Sequence, residues 1–195
     1  MATSKKTANR LIVIGSILIA AALTIVAGTL YPAVKEEVRY RLPHSKESLT
    51  PIDPSFGIVI PKLGANARIV ANVDPYDSRI YQAALAKGVA HARGTVFPGQ
   101  PGSIFLFSHS SADFYRATQF NSVFYLINKL ESGDEIDLYY QNEKYAYRVT
   151  DKKIVEASAV SYLSGRGNGK TLILMTCWPP GTSLKRLLVF AQISE

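Results

Sequence analysis

The chain has 195 residues, of which 47% are hydrophobic and 19% charged, with a formal net charge of +7 and one cysteine. That composition is globular, with no low-complexity bias. It excludes an internal disulfide, and its basic residues are too scattered to form the patch that nucleic-acid binding requires.

The first segment is not part of a soluble fold. Lys5, Lys6 and Arg10 precede an uncharged run from Leu11 to Val34, and Leu11 to Leu30 is nearly all Leu, Ile, Val, Ala and Gly. About 20 apolar residues cross a bilayer as a helix, and the basic flank holds the N-terminus in the cytoplasm and sends the rest across. A cleaved signal peptide has an apolar core of about 7–15 residues. This run is longer, and Ala27-Gly28 does not supply a clear cleavage site after a short core. A buried core helix would show a polar face, and none appears. The reading is a cytoplasmic tail over 1–10, an uncleaved transmembrane signal anchor over 11–34, and a single-pass membrane protein with its C-terminal part extracellular. Without Lys5, Lys6 and Arg10 the exported part carries +4, which weakly suits an anionic wall surface.

Residues 35–55 are polar, with prolines at 43, 51 and 54, and read as an extended stalk. What remains, 56–195, has the size of one domain and shows no internal repeat. FGIVIPKL (56–63) and ARIVANV (67–73) read as strands about a Gly64-Ala65-Asn66 turn. Asp77 to Lys87 reads as a short helix with Ile80, Ala84 and Leu85 on one face, stopped by Gly88. GVAHARGTVFPGQPG (88–102) is loop with room for a brief strand, and SIFLFSH (103–109) is a buried strand. Phe120, Phe124, Ile127 and Leu130 have helical spacing within 113–130. EIDLYYQ (135–141) and KYAYRVTDKKIVE (144–156) flank a tight turn at Asn142-Glu143, and LILMTC (172–177) and RLLVFAQI (186–193) complete the strands. Many short strands and few helices predict an all-β barrel. Gly165 to Gly169 is a tight loop; no helix follows it as a phosphate-binding loop would need.

The chemistry gathers at strand ends. Leu172 to Thr176 is apolar on both faces, and Pro179-Pro180-Gly181 cannot continue it, so Cys177 stands where a strand meets a loop. Free cysteines are commonly buried packing residues, but this placement combines rigid support with access. Beyond the loop, Leu184, Arg186, Leu188 and Phe190 share one strand face. If the two strands pair as a hairpin, Cys177 and Arg186 face each other. Arg186 cannot shed its charge, so it has either a carboxylate partner or a role. A thiol needs a base or an imidazolium partner to react at neutral pH. His44 lies in the stalk and His91 in the Gly/Pro-rich loop, whereas His109 ends a strand as Cys177 does. Position favours His109, with a satisfied edge histidine as the alternative.

These residues resemble the sortases, membrane-anchored cysteine transpeptidases, over roughly 56–193. IPKLGANARIV (60–70) is similar to the opening strands of that family, ALAKGVAHARGTVFPGQPGSIFLFSH (84–109) to its segment leading to the histidine, and Leu174-Met175-Thr176-Cys177 with Arg186 to its Leu-x-Thr-Cys core and arginine. Ser108 stands where the family often has Gly, and Ile173 where it often has Thr; both bear on the subclass. Asp53-Pro54-Ser55-Phe56 differs from the Asp-Pro-aromatic lid of pilus-building members by an extra Ser, and reads as strand entry.

The resemblance implies a closed eight-stranded barrel with short helices. It implies that Cys177 cleaves a Leu-Pro-x-Thr-Gly-like (LPXTG-like) signal through a thioester, that His109 shuttles the proton, and that Arg186 steadies the substrate and oxyanion, with Thr176 in support. It implies an amine acceptor from a cell-wall precursor or a pilin lysine, and no cofactor or metal. Three other readings stand beside it. A related thiol hydrolase would release the acyl group to water, and a catalytically silent anchored binding domain would leave the thiol unreactive. An L,D-transpeptidase would need Ser-His-Gly-Cys, which the sequence lacks.

Overall fold

The computed structural model of the chain describes residues 2–41, 49–110, 123–159 and 170–194. Helix α1 (Ala2–Arg41) is continuous. Its window Asn9–Thr29 has a mean hydropathy of 2.6 and lies 0% buried against the rest of the chain, so by length and composition it is able to cross a membrane. The helix runs past Val34 into the segment read as an extended stalk, where Lys35, Glu36, Glu37 and Arg39 are all good helix formers. His44, Phe120 and the Gly165–Gly169 loop lie outside the described residues.

Eight strands follow: β1 (Phe56–Ile60), β2 (Ala65–Val73), β3 (Val89–Ala92), β4 (Gly102–Phe107), β5 (Glu135–Tyr140), β6 (Glu143–Glu156), β7 (Lys170–Trp178) and β8 (Lys185–Ile193). They close into a barrel in the order β1-β2-β3-β4-β7-β8-β6-β5, so no strand edge is left open. The β2–β3 and β4–β7 pairs are parallel. A parallel pair cannot be joined by a hairpin, and the β2–β3 crossover is the helix α2 (Ser78–Leu85).

Side chains alternate between the two faces of each strand. One set, including Ile58, Ile104, Leu106, Leu138, Leu172, Leu174 and Val189, fills the barrel. The other forms a second cluster on the outer face, where Phe105, Phe107, Ile173 and Leu188 pack with Ala84 and Leu85 of α2. This explains why β4 and β7 read as unbroken apolar runs: they are covered on both sides.

Local chemistry explains the element ends and several shifts from expectation. Gly64, at φ 59, caps a short 3-10 turn over Pro61–Leu63 and turns β1 into β2. Asp77 caps α2, its carboxylate accepting the amides of Arg79 and Ile80. The helix ends at Leu85, before the expected Lys87. Gly88 follows the helix end, its amide donating to the Ala84 carbonyl at 3.2 Å, and it is also closely packed, since a Cβ there would meet the Arg68 carbonyl oxygen. Of the expected apolar faces, Ile80 and Leu184 are exposed. The β5–β6 turn is Gln141-Asn142, one residue earlier than read, with φ 53 and 67; a two-residue turn of this hand needs positive φ at both positions. Within 123–130 the described chain forms turns and a 3-10 helix (Ile127–Lys129) that bury Phe124, Ile127 and Leu130. Spacing by three suits that tighter helix.

Candidate active site

β7 and β8 form a hairpin whose register pairs Cys177 directly with Arg186. Thr182 closes the connection, its amide and its hydroxyl both donating to the Pro179 carbonyl, at 3.0 and 2.8 Å. Cys177 follows Ile173 and Met175 on the outer face of β7, and Arg186 precedes Leu188 and Phe190 on the outer face of β8. Thiol and guanidinium thus share the outer face, away from the barrel interior. Both residues are half-buried.

The parallel register brings a third group to this end. Phe105 pairs with Ile173 and Phe107 with Met175. Beyond the ladder, the Ser108 amide donates to the Met175 carbonyl at 3.2 Å. The next residue is His109, so the chain delivers the imidazole-bearing residue to the end of β4 beside the end of β7 that carries Cys177. His109 is half-buried.

The Arg186 Nη1 donates to the Ser183 and Lys185 carbonyls at 3.1 and 3.0 Å. Among the described residues no carboxylate is paired with it; two backbone oxygens hold the group there.

Thr176, expected in support of the substrate and oxyanion, stands on the face of β7 opposite Cys177. It is 3% exposed, it lies on the barrel side of β7 with Leu172 and Leu174, and its hydroxyl donates to the Ser108 carbonyl at 3.0 Å.

His91 sits in β3 and is fully buried. Its Nδ1 accepts the Asn72 amide at 3.3 Å, and its Nε2 faces the Val96 carbonyl at 3.1 Å and the Thr95 hydroxyl at 3.0 Å. Phe56 and Phe97 pack against the ring. Burial lowers its pKa, against a smaller opposing effect of the Val96 carbonyl. It is a satisfied core histidine.

On the β5–β6 side of the barrel, burial raises the pKa of Asp137, opposed by Lys144, whose Nζ lies 2.8 Å from Oδ2. Among the described residues no group of three or more His, Cys, Asp or Glu side chains is placed to hold a metal.

A thiol, an imidazole-bearing residue and a guanidinium thus stand at one end of the neighbouring strands β4, β7 and β8. A family model described as the sortase domain matches residues 58–194. Sortase D of Bacillus subtilis (strain 168) is 29% identical over 136 residues, which cover 68% of this chain and 60% of that protein, so the match spans less than two thirds of its relative. The crystal structure of sortase C-1 from Actinomyces oris superposes with a TM-score of 0.61 at 24% identity, covering 88% of this chain and 99% of that one. Sortase E1 from Streptomyces coelicolor, solved with a tripeptide in its active site, gives 0.59 at 25% identity over 75% of this chain and 92% of that one. The matched span takes in all but the first two residues of the barrel, and the chain belongs to the sortase family.

Proposed function

We propose that this chain is a membrane-anchored cysteine transpeptidase acting on an LPXTG-like sorting signal. The observation that carries the reading is the register: Cys177 faces Arg186 across one pair of strands, and β4 runs parallel to β7 so that His109 follows at the same end. The Cys177 thiolate attacks the backbone carbonyl of the signal. The oxyanion develops beside the Arg186 guanidinium, where a fixed donor is worth about 2.7–4 kcal/mol to the transition state. The C–N bond breaks, His109 gives its proton to the departing amine, and a thioester remains on Cys177. An incoming amine then attacks the thioester, His109 takes its proton, and the thiolate leaves as the new amide forms. The acceptor amine belongs to a cell-wall precursor or a pilin. The apolar part of α1 anchors the chain, with the N-terminus cytoplasmic and the barrel outside.

The test incubates the protein with LPXTG-like peptides and a panel of amines, beside Cys177→Ala, and reads products by mass spectrometry. Cysteine-dependent, amine-joined products are expected. Cleavage to the free acid alone, in the presence of every amine, would assign a hydrolase. No turnover, with a thiol that alkylates no faster than in a denatured control, would assign a silent binding domain.

A further inference from the structure

We propose that Thr176 is a positioning residue that acts through His109, its hydroxyl clamping the Ser108 main chain and thereby setting where the imidazole stands relative to the thiol. This rests on the reading of Cys177 and His109 given above.

The two groups have unequal support. The β4–β7 ladder ends at the Phe107–Met175 pair. Past it, β7 continues as strand through Trp178 and stays paired with β8, so Cys177 rides on a fixed backbone. The other chain leaves the sheet after Phe107, so His109 rides on irregular backbone. Ser108 is the link between them, and both of its main-chain groups are tied to β7. Its amide donates to the Met175 carbonyl at 3.2 Å, and its carbonyl accepts the Thr176 hydroxyl at 3.0 Å.

Thr176 is 3% exposed on the barrel side, opposite the face that carries Cys177. A hydroxyl has one proton, and a buried hydroxyl without a partner is unfavourable. Here that proton is committed to the carbonyl immediately before His109. The same bond that satisfies the hydroxyl therefore joins the backbone of the imidazole to the strand of the thiol. Proton transfer is sensitive to such placement, since an error of about 1 Å can lower a rate by about a hundredfold.

The test uses the full chain in detergent, with Thr176→Val and Thr176→Ala removing the hydroxyl and Thr176→Ser keeping it. Two quantities are read: the pH profile of Cys177 alkylation by iodoacetamide, and kcat and KM for cleavage of an LPXTG-like peptide. Loss of the hydroxyl should lower kcat by roughly tenfold to a hundredfold with KM within about twofold, and should move the alkylation profile toward that of His109→Ala. Thr176→Ser should retain both the wild-type profile and most of kcat. In a His109→Ala background, Thr176→Val should change alkylation no further. A raised KM with an unmoved profile would assign the hydroxyl to the substrate and overturn the clamp. An unmoved profile and kcat in both Val and Ala variants would overturn it as well, while His109→Ala still shifted the profile and left the transpeptidase reading standing. If His109→Ala itself changed neither profile nor turnover, the pairing of His109 with the thiol would fail, and the clamp with it.

Discussion

Acidification should destabilise the barrel through His91, and the size of the effect follows from its surroundings. Its Nδ1 accepts an N–H from Asn72, so its Nε2 carries the proton and faces the Val96 carbonyl. Protonating Nδ1 would set a donor against a donor inside a fully buried aromatic cluster. The folded chain therefore holds the ring neutral, with its pKa below the ordinary value of 6.5, first because of burial. In the unfolded chain the ring titrates near 6.5. Below that pH the unfolded state binds a proton that the folded state refuses, so this contribution is present above 6.5 and is lost as pH falls. The limiting slope is about 1.4 kcal/mol per pH unit. The loss accumulates only from the unfolded pKa down to the lowered pKa of the folded ring. Urea unfolding followed by the fluorescence of Trp178, the only tryptophan, measures it. His91→Gln keeps one acceptor and one donor but cannot ionise. It should be less stable at neutral pH, because ring packing is lost, yet its stability should fall less on acidification below 6.5, by up to about 1.4 kcal/mol per pH unit. Other groups, including Asp137, cancel in the difference between the two proteins. Equal falls in both would refute the assignment of a neutral ring.

Arg186→Lys should lower kcat/KM by about a hundredfold or more while the barrel stays folded, because a point charge cannot reproduce the planar donor fork; near-normal kinetics would make the guanidinium a loop anchor only. Gly57→Ala should lower the urea midpoint by more than the usual overpacking cost of about 1–3 kcal/mol, since its Cβ would stand 2.2 Å from the Asp53 carbonyl oxygen; an unchanged midpoint would show that the segment entering β1 shifts freely. Gln141→Asn should raise the melting temperature, gaining up to about 1 kcal/mol, because Gln141 is held at φ 53 in the β5–β6 turn and Asn tolerates that region better.

The helix with its apolar span and the strand character of the domain were legible in the sequence because they depend on local pattern. Twenty uncharged apolar residues leave few options, and β-branched runs bounded by Gly and Pro mark strands wherever they pair. Cys177 was legible as a strand-end thiol for the same reason, since Pro179-Pro180-Gly181 must interrupt the ladder. The hairpin register with Arg186 was legible only as a condition, because it depends on where two strands meet. Smaller errors had local causes. The turn slipped by one residue because Gln, unlike Asn or Gly, gives no signal for positive φ. The second constraint on Gly88, the Arg68 carbonyl, gave no signal because it lies on β2, distant in sequence.

The sequence by itself determined the long apolar segment and the strand character of the domain, which are properties of neighbouring residues and their periodicity. Only the tertiary structure decided which face each strand shows to the barrel. That choice put Cys177 and Arg186 on the outer face, turned Thr176 inward onto Ser108, and buried His91 as a neutral core residue. A strand apolar on both sides carries no information about its inside and outside. The distinction arises only when the ring of strands closes and α2 covers one part of its outer surface.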